Sequence, residues 1–280
     1  MCACCPLLEV VDIGWIEDDH VDEEAIVASG PQMQLLPVLR VLNISWMHDR
    51  DGVVSSHILR TTNMPQLMEL KVSFYNLGSA QAGGLLSPLS RRCPLLTTLE
   101  VMGRTLEWGH LGLFSGLQDL ELRGELSSWT TEHLESIIEN LPNLGRLSIR
   151  PPSFGDVDRS KSAFTLTTLE AIAKMSPLCQ LQMPLNALEI PWVQEPPVPT
   201  AKFAMLVKLM LGPLHIEANS VEPFAKYLAQ VCPTVNCFKP IPIHTQEAEL
   251  EPHNRWLLTN EEEISQKMMR TLFFNAQRGG

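Results

Sequence analysis

The side chains best suited to chemistry are the cysteines and carboxylates near the start of the chain. Cys2, Cys4 and Cys5 have the type of side chain that binds zinc or accepts a palmitoyl group. A zinc site needs four convergent ligands, however, and the nearest histidine is His20. The run at 17–24 holds six carboxylates but lacks the alternating ligands and central glycine of a calcium loop. We therefore expect no metal site and interpret the acidic run as a solvated loop that enters a helix.

The rest of the sequence offers no catalytic or cofactor signature. It contains no Gly-x-x-x-x-Gly-Lys-Ser/Thr phosphate loop, no Gly-x-Ser-x-Gly nucleophile turn, no His-Glu-x-x-His zinc helix and no Gly-x-Gly-x-x-Gly dinucleotide turn. The eight histidines are dispersed singly. We predict a protein that is not an enzyme and has no cofactor, since an enzyme would need titratable residues clustered in a pocket.

The amino-acid composition limits the possible binding partners and the possible cellular compartment of the protein. The 280 residues carry a net charge of −11, which argues against binding to nucleic acid. No apolar stretch reaches the roughly 18 residues of a membrane helix, and residues 1–10 lack the basic start of a signal peptide. Four of the seven cysteines, Cys93, Cys179, Cys232 and Cys237, lie singly or in apolar surroundings, as reduced thiols do. We therefore expect a cytoplasmic or nuclear protein that binds neither nucleic acid nor membrane.

Leucine, with 42 residues, recurs in a fixed frame of the form Pro-x-Leu-x-x-Leu-x-Leu. Strong copies begin at Pro6, Pro37, Pro65, Pro94 and Pro142, weaker copies at Ser115, Ser176 and Ala204, and a broken copy at Pro233. The intervals range from 21 to 34 residues, and their mean of about 28 suits a repeat that contains one strand and one helix or turn.

The frame predicts a strand, because residues two apart share one face of a strand. Apolar residues at helical spacing predict return helices over 131–141, 167–175 and 220–231, and Thr167 with Glu170 has the spacing of a capping box. The short interval at 104–114 predicts a turn in place of a helix, whereas 151–162 and 184–199 predict surface excursions. A closing helix is predicted at 260–277.

These observations predict an α/β leucine-rich-repeat solenoid, a horseshoe of eight to nine irregular repeats with a C-terminal capping helix. We expect the repeats to occupy residues 1–240 and an extension with the capping helix to occupy 241–280. Neighbouring repeats would each cover the apolar face that a single repeat leaves open.

The repeat resembles the leucine-rich repeats that follow an F-box in fungal and other eukaryotic F-box proteins. The resemblance spans about residues 4–240 and includes three equivalent Cys-Pro pairs, Cys5-Pro6, Cys93-Pro94 and Cys232-Pro233. It implies a non-enzymatic, substrate-binding part of a ubiquitin ligase subunit. Since the chain begins inside its first repeat, we expect the F-box to be missing and the chain to be part of a longer gene product, with a Skp1-type adaptor as a partner only if an F-box is encoded upstream. The alternative is a GTPase-regulating or enzyme-inhibiting leucine-rich-repeat protein.

A protein substrate would bind to the concave face, which carries the residues between the fixed leucines. In the predicted register, one group of these residues is acidic and a neighbouring group is basic. The acidic middle consists of Glu69, Glu100, Asp119 and Glu121, and the basic strip consists of Arg123, Arg146 and Arg150. Together with Lys71, these side chains are the predicted partner-binding residues, and a partner with the complementary charge pattern would be oriented by them.

Overall fold

The computed structural model describes residues 7–13, 34–44, 58–74, 79–103, 108–124, 129–150, 164–175, 177–186, 198–215, 221–240 and Arg270. The predicted surface excursion at 151–162 and the acidic run at 17–24 lie outside these residues, as does the closing helix except for Arg270. The chain divides into two compact units. Unit 1 comprises Met1–Glu125 and Glu139–Leu144, and unit 2 comprises Leu126–Ile138 and Gly145–Gly280.

The described residues of unit 1 include five parallel strands paired in the order β1, β3, β5, β6, β7. Their bounds are β1 Val10–Ile13, β3 Val41–Ile44, β5 Glu69–Phe74, β6 Thr98–Gly103 and β7 Asp119–Arg123. Two short strands, β2 (Gln34–Leu35) and β4 (Thr62–Asn63), form a separate parallel pair. Helix α1, Ser79–Arg92, connects β5 to β6. The 3₁₀ helix η1, Trp108–Leu113, connects β6 to β7.

Unit 2 contains four parallel strands paired in the order β8, β9, β10, β11. Their bounds are β8 Arg146–Arg150, β9 Gln180–Asn186, β10 Lys208–His215 and β11 Cys237–Pro240. Helix α3, Leu166–Met175, precedes β9, and helix α4, Val221–Val231, precedes β11. Helix α2, Thr131–Asn140, precedes β8 in the sequence. Parallel strands alternating with helices or turns at the spacing of the sequence frame give the chain the predicted α/β leucine-rich-repeat solenoid fold.

In the copies at Pro37, Pro65, Pro94, Pro142 and Pro233, the proline of the frame lies in a tight turn that leads into the strand. In unit 1 the amide of Leu96 donates to the carbonyl of Cys93 at 3.2 Å, and the amide of Leu144 donates to that of Leu141 at 3.1 Å. Pro94 and Pro142 are therefore the second residues of four-residue turns, where the fixed φ of proline is already suitable and its missing N–H costs no hydrogen bond. The proline ends one helix or loop and directs the chain into the next strand.

Neighbouring repeats are joined by a recurring backbone contact in front of the strands. One carbonyl accepts two consecutive N–H groups of the next copy: Met68 accepts from Thr97 and Thr98 at 2.9 Å each. In unit 2, Cys179 accepts from Val207 and Lys208 at 2.8 and 3.1 Å. Because this contact recurs at the same place in the frame, it fixes the register in which the following strands pair.

The fixed aliphatic residues form the core of each unit. At most 2% of the surface of each is exposed in the copies that begin at Pro37, Pro65, Pro94, Ser115, Pro142, Ser176 and Ala204. Burying each of these side chains contributes about 1.5–3 kcal/mol before entropy is subtracted. The first copy is less covered, since Val11 and Ile13 in β1 are only half-buried. The aliphatic positions predicted from the frame are confirmed as the interior of the repeats.

Three local predictions were wrong in detail. Glu170 does not cap helix α3 as its spacing from Thr167 predicted, because Thr168 Oγ1 accepts from the amide of Thr165 at 3.2 Å and serves as the cap. The short interval after β6 contains the 3₁₀ helix η1, where a plain turn was predicted. Pro184, predicted to begin a surface excursion, is buried within strand β9, and residues 187–197 lie outside the described residues.

Glu170 instead joins helices α3 and α4 to the segment before β10. Thr200 Oγ1 donates to Glu170 Oε2 at 2.6 Å, and the hydroxyl of the buried Tyr227 donates to Glu170 Oε1. Partial burial raises the pKa of Glu170, but the hydrogen bonds from Thr200 and Tyr227 and the charge of Lys174 together hold that pKa below its usual value. Burial and the neighbouring carboxylate raise the pKa of Tyr227. The carboxylate thus accepts from both partners at neutral pH.

Leu147→Asp tests the assignment of the core. Leu147 lies in β8 with 0% of its surface exposed, so an aspartate there would bury a charge and should lower the free energy of unfolding by several kcal/mol. Leu95→Asp is the matched control, because Leu95 is 49% exposed in a turn and should change stability by about 0.5 kcal/mol or less. Urea unfolding measures both, and equal midpoints for the two variants would contradict the placement of Leu147.

Candidate functional site

The candidate site is the face of each sheet that carries the residues between the fixed leucines. Parallel pairing without offset places equivalent residues side by side, so that Glu69 lies beside Thr98 and Thr98 beside Asp119. The next row along the strands holds Lys71, Glu100 and Glu121. Strands lie about 4.8 Å apart, which is within the reach of long charged side chains. The predicted rows of unit 1 are confirmed.

The charged residues of unit 1 form a continuous network across β5, β6 and β7. Lys71 Nζ lies 3.2 Å from Glu69 Oε1 and 3.9 Å from Glu100 Oε2. Arg123 Nη2 lies 3.0 Å from Glu100 Oε1 and 2.7 Å from Glu121 Oε1. Arg123 Nε also donates to Glu121 Oε1 at 2.7 Å. We call these five residues the ion-pair network.

The charge pattern observed in this network differs from the predicted one. The acidic middle and the basic strip were expected to be separate neighbouring groups, but Arg123 lies against Glu100 and Glu121. Its guanidinium neutralises charge within the acidic group because its two N–H groups reach a carboxylate two residues away on the same strand face. Glu121 is only 7% exposed, so its charge is held largely away from solvent. The face of unit 1 is thus a fixed pattern of alternating charges.

Among the described residues of unit 1, two buried polar atoms on this face have no hydrogen-bond partner. They are Asn43 Oδ1 in β3 and Ser73 Oγ in β5, both buried. The sequence places them in the rows of the network, but its pattern gave no sign that their polar atoms would be unpaired.

Unit 2 holds the other two predicted arginines in a different environment. Arg146 lies beside Gln180 and Gln180 beside Lys208, in one row across β8, β9 and β10. Ser148 lies beside Gln182 in the next row, and its hydroxyl donates to Gln182 Oε1 at 3.2 Å. Arg150 donates from Nε to Ser148 Oγ at 3.3 Å and from Nη2 to Gln182 Oε1 at 3.1 Å.

These side chains surround a depression on the sheet face of unit 2. Its lining residues are Arg146, Leu147, Arg150, Gln180, Leu181, Gln182, Lys208 and Met210. We call it the cationic depression. Gln182 and Lys208 were not among the predicted partner-binding residues, although the register alone places them beside Ser148 and Arg146. The signal that would have found them is their place in the row, since neither belongs to an obvious charge cluster in the sequence.

The cysteines of the described residues are free thiols. Cys93 and Cys232 are buried, whereas Cys179 and Cys237 are half-buried. Burial raises the pKa of the Cys93 thiol to about 12 despite the nearby Arg92, and burial also raises that of Cys232. A thiol with a raised pKa is a poor nucleophile, so these two cysteines act as small apolar core residues. Both precede the proline of a turn, as their repeat position predicted.

Two further observations concern the part of the chain that the structure describes. No three His, Cys, Asp or Glu side chains there are arranged as ligands of a metal ion. No helix there is both long enough and apolar enough to cross a membrane.

Arg123→Gln tests the ion-pair network. Removing the guanidinium takes away its contacts with Glu100 and the buried Glu121, so the free energy of unfolding should fall by about 1–3 kcal/mol. Lys71→Gln is the matched control, because exposed ion pairs contribute at most about 1 kcal/mol. Urea unfolding at low and high salt measures both. A loss for Lys71→Gln as large as that for Arg123→Gln would contradict the distinction between them.

Comparison with known proteins finds solved structures with a similar fold, but it finds no family that matches this chain. No protein-family model and no curated protein matches the chain. Three solved structures that resemble it are TLR13 in its complex with ssRNA13, internalin C2 from Listeria monocytogenes and the leucine-rich repeat-containing protein LegL7 from Legionella pneumophila.

Sequence identity to all three is low. TLR13 has a TM-score of 0.43 and 13% identity, with 84% of this chain and 29% of TLR13 covered, so this chain spans less than a third of TLR13. Internalin C2 has a TM-score of 0.40 and 15% identity over 82% of this chain and 77% of its own. LegL7 has a TM-score of 0.34 and 13% identity, with 93% of this chain and 98% of LegL7 covered. The fold assignment rests on the strands, turns and buried frame described above.

Proposed function

We propose that this chain is a non-enzymatic protein-recognition module that binds a partner protein with the sheet faces of its two units. The observation that supports this most is the contrast, along strands β5, β6, β7 and β8, between fixed buried aliphatic residues and intervening residues that are mostly charged. The proposed partner-binding residues are Glu69, Lys71, Glu100, Asp119, Glu121 and Arg123 in unit 1, and Arg146 and Arg150 in unit 2. Packing of the repeat does not require charges at these positions, so their presence favours a role in binding.

The geometry of the charged groups supports recognition of one particular partner. Lys71 and Arg123 are each held by two carboxylates, and Arg150 is held by Ser148 and Gln182. Side chains that are already fixed lose little conformational entropy on binding. A pattern of alternating charges also selects the partner and its orientation, because a misaligned partner would bring like charges together.

We further propose that the module is the substrate-binding repeat domain of an F-box ubiquitin ligase subunit. The resemblance in the Cys-Pro turns supports this role, and Cys93-Pro94 and Cys232-Pro233 both lead into strands at equivalent positions. In this proposal residues 1–240 form the repeat array and 241–280 form a C-terminal extension with a capping helix. The free, buried thiols suit the reducing cytoplasm or nucleus.

A capture experiment with paired glutamate variants tests recognition by the sheet face. Glu69→Gln with Glu100→Gln removes two carboxylates from the face of unit 1 at positions that are only half-buried. Affinity capture from a lysate of the source cells, read by quantitative mass spectrometry, should then lose a specific partner about tenfold or more. Urea unfolding should show a loss of about 1 kcal/mol or less.

The control is a pair of glutamates on the helix side. Glu135→Gln with Glu139→Gln removes the same chemistry from α2 and should leave capture unchanged. Equal capture by the parent and by the sheet-face variant would overturn the proposed binding surface. The same would hold if the helix variant lost the partner to the same extent.

The ubiquitin-ligase role has a separate test. Sequencing the transcript upstream of Met1 should show an F-box, and the full-length product should bind a Skp1-type adaptor in a pull-down while the chain from Met1 does not. A full-length product that neither encodes an F-box nor retains the adaptor would overturn this role. Loss of the partner by the sheet-face variant would still support recognition in that case.

A further inference from the structure

The turns that lead into β9 and β10 differ from the other described turns of the frame. In every copy, two residues flank the first aliphatic residue of the frame. In the other seven copies at least one of these two residues is polar or charged, as shown by Glu9, Arg40, Gln66, Thr97, Gln118, Asn143 and Asn236. In these two neighbouring copies both are apolar, and they are Pro177 and Cys179 around Leu178, and Met205 and Val207 around Leu206. We call Pro177, Cys179, Met205 and Val207 the apolar edge.

The apolar edge is contiguous and open to solvent. The amide of Val207 donates to the carbonyl of Cys179 at 2.8 Å, so the two turns lie side by side. Met205 is 53% exposed and Val207 is 43% exposed, although the intervening Leu206 is 0% exposed. Pro177 is exposed and Cys179 is half-buried. Single apolar residues are common on protein surfaces, whereas adjacent exposed ones are typical of interaction sites.

The size of the apolar edge limits what can cover it. A stable interface between two proteins has about 20–30 residues on each side, whereas the apolar edge has four. It is therefore too small to join two copies of this chain by itself. The net charge of −11 opposes binding to an anionic membrane surface. A short protein segment that contributes a few apolar side chains fits the edge better than either of these.

Lys208 places a positive charge beside the apolar edge. It directly follows Val207, and its amide donates to the same carbonyl of Cys179 at 3.1 Å. The ammonium group of Lys208 makes no ion pair or hydrogen bond in the part of the chain that the structure describes. The two turns, at 177–180 and 204–208, contain no aspartate or glutamate. A carboxylate next to the apolar side chains of a bound segment would thus pair with Lys208.

We propose that the apolar edge and Lys208 bind a short segment of another protein in which aliphatic or aromatic side chains lie next to a glutamate or aspartate. The apolar side chains of the segment cover Met205 and Val207, and its carboxylate fixes the direction in which it binds. This surface goes beyond the proposed function, which assigns a partner to the sheet faces, because the apolar edge lies in the turns in front of the strands.

Fluorescence anisotropy with the full chain tests the inference with three fluorescein-labelled peptides. The first peptide has three leucines, each followed by a glutamate, with glycine–serine spacers. The second has serine in place of each leucine, and the third has glutamine in place of each glutamate. The leucine–glutamate peptide should bind about tenfold or more tightly than the serine–glutamate peptide. Equal affinity for these two peptides, including absence of binding by both, would overturn the proposal.

Variants of the apolar edge localise the binding. Met205→Gln with Val207→Thr keeps the approximate size of both side chains but makes them polar, and it should weaken the leucine–glutamate peptide about tenfold or more. Since both residues are exposed, the urea midpoint should remain that of the parent. Leu95→Gln is the matched control, because Leu95 is 49% exposed at the position equivalent to Met205 but shares its turn with Thr97. Equal losses for the control and the double variant would overturn the site.

Lys208→Gln tests the charged part of the site. The parent should bind the leucine–glutamate peptide about fivefold more tightly than the leucine–glutamine peptide at low salt, whereas Lys208→Gln should bind the two equally. Lys226→Gln is the control, because Lys226 is exposed on helix α4, and it should keep the preference of the parent. A full preference for glutamate in Lys208→Gln would overturn the assigned partner chemistry.

The thiol of Cys179 gives a readout that needs no variant. It is free and half-buried within the apolar edge. Saturating leucine–glutamate peptide should slow its alkylation by iodoacetamide about fivefold or more, as measured by mass spectrometry of the digested chain. The serine–glutamate peptide at the same concentration should leave the rate unchanged. Equal alkylation with both peptides would contradict binding at the apolar edge.

Two further measurements separate a protein segment from other occupants. Sedimentation of the parent tests for a dimer, and flotation with phosphatidylcholine–phosphatidylserine vesicles tests for membrane binding. Neither is expected. A dimer or vesicle binding that Met205→Gln with Val207→Thr removes would overturn the assignment to a protein segment.

The inference and the proposed function can fail separately. Glu69→Gln with Glu100→Gln changes the sheet face of unit 1 and should leave binding of the leucine–glutamate peptide unchanged. Loss of the captured partner in that variant, without peptide binding by the parent, would overturn only the inference about the apolar edge. Peptide binding at the apolar edge, with capture unchanged in that variant, would overturn only the proposed binding surface.

Discussion

The structure of each unit depends on a constant backbone register between neighbouring repeats. A single carbonyl accepts two successive amides of the next copy, as Met68 does in unit 1 and Cys179 in unit 2. This contact precedes strands β3, β5, β6, β7, β9, β10 and β11. Equivalent residues of the paired strands therefore lie side by side, apart from one irregularity in β10 between Leu211 and Leu214. A shift by one residue would exchange the buried leucines with the charged residues and would expose the core. The core and the binding face are therefore set by the same constraint.

The constant register also makes the charge of each row depend on very few residues. Arg123 and Arg150 have the same place in the frame, but Arg123 donates to the carboxylate of Glu121 whereas Arg150 donates to the hydroxyl of Ser148. Glu121 is largely buried and lies 2.7 Å from Arg123, and a buried carboxylate is tolerated when a cation pairs with it. One change from glutamate to serine between repeats thus replaces the carboxylate beside this arginine with a hydroxyl.

Much of the fold could be predicted from the sequence because the residues that pack in the core recur along it at a fixed spacing. The triplets around Leu70, Leu99 and Leu209 had to be buried on one strand face, and helices α2, α3 and α4 lie within one residue of their predicted ends. Local capping was not predictable in the same way. Thr168 and Glu170 both lie near the start of α3, and which of them caps the helix depends on Tyr227 and Thr200, which come from distant parts of the chain.

The candidate site was predictable in position but not in electrostatics. Register alone places Glu100, Glu121 and Arg123 on neighbouring strands, but only side-chain geometry shows that the arginine joins both carboxylates. The interior of a repeat accepts only apolar groups of suitable size, so it repeats from copy to copy. The open positions of the sheet face have no such constraint, so they differ between repeats. Differences among equivalent positions are therefore where a repeat protein encodes its partner, and the contrast between Glu121 and Ser148 is such a difference within one chain.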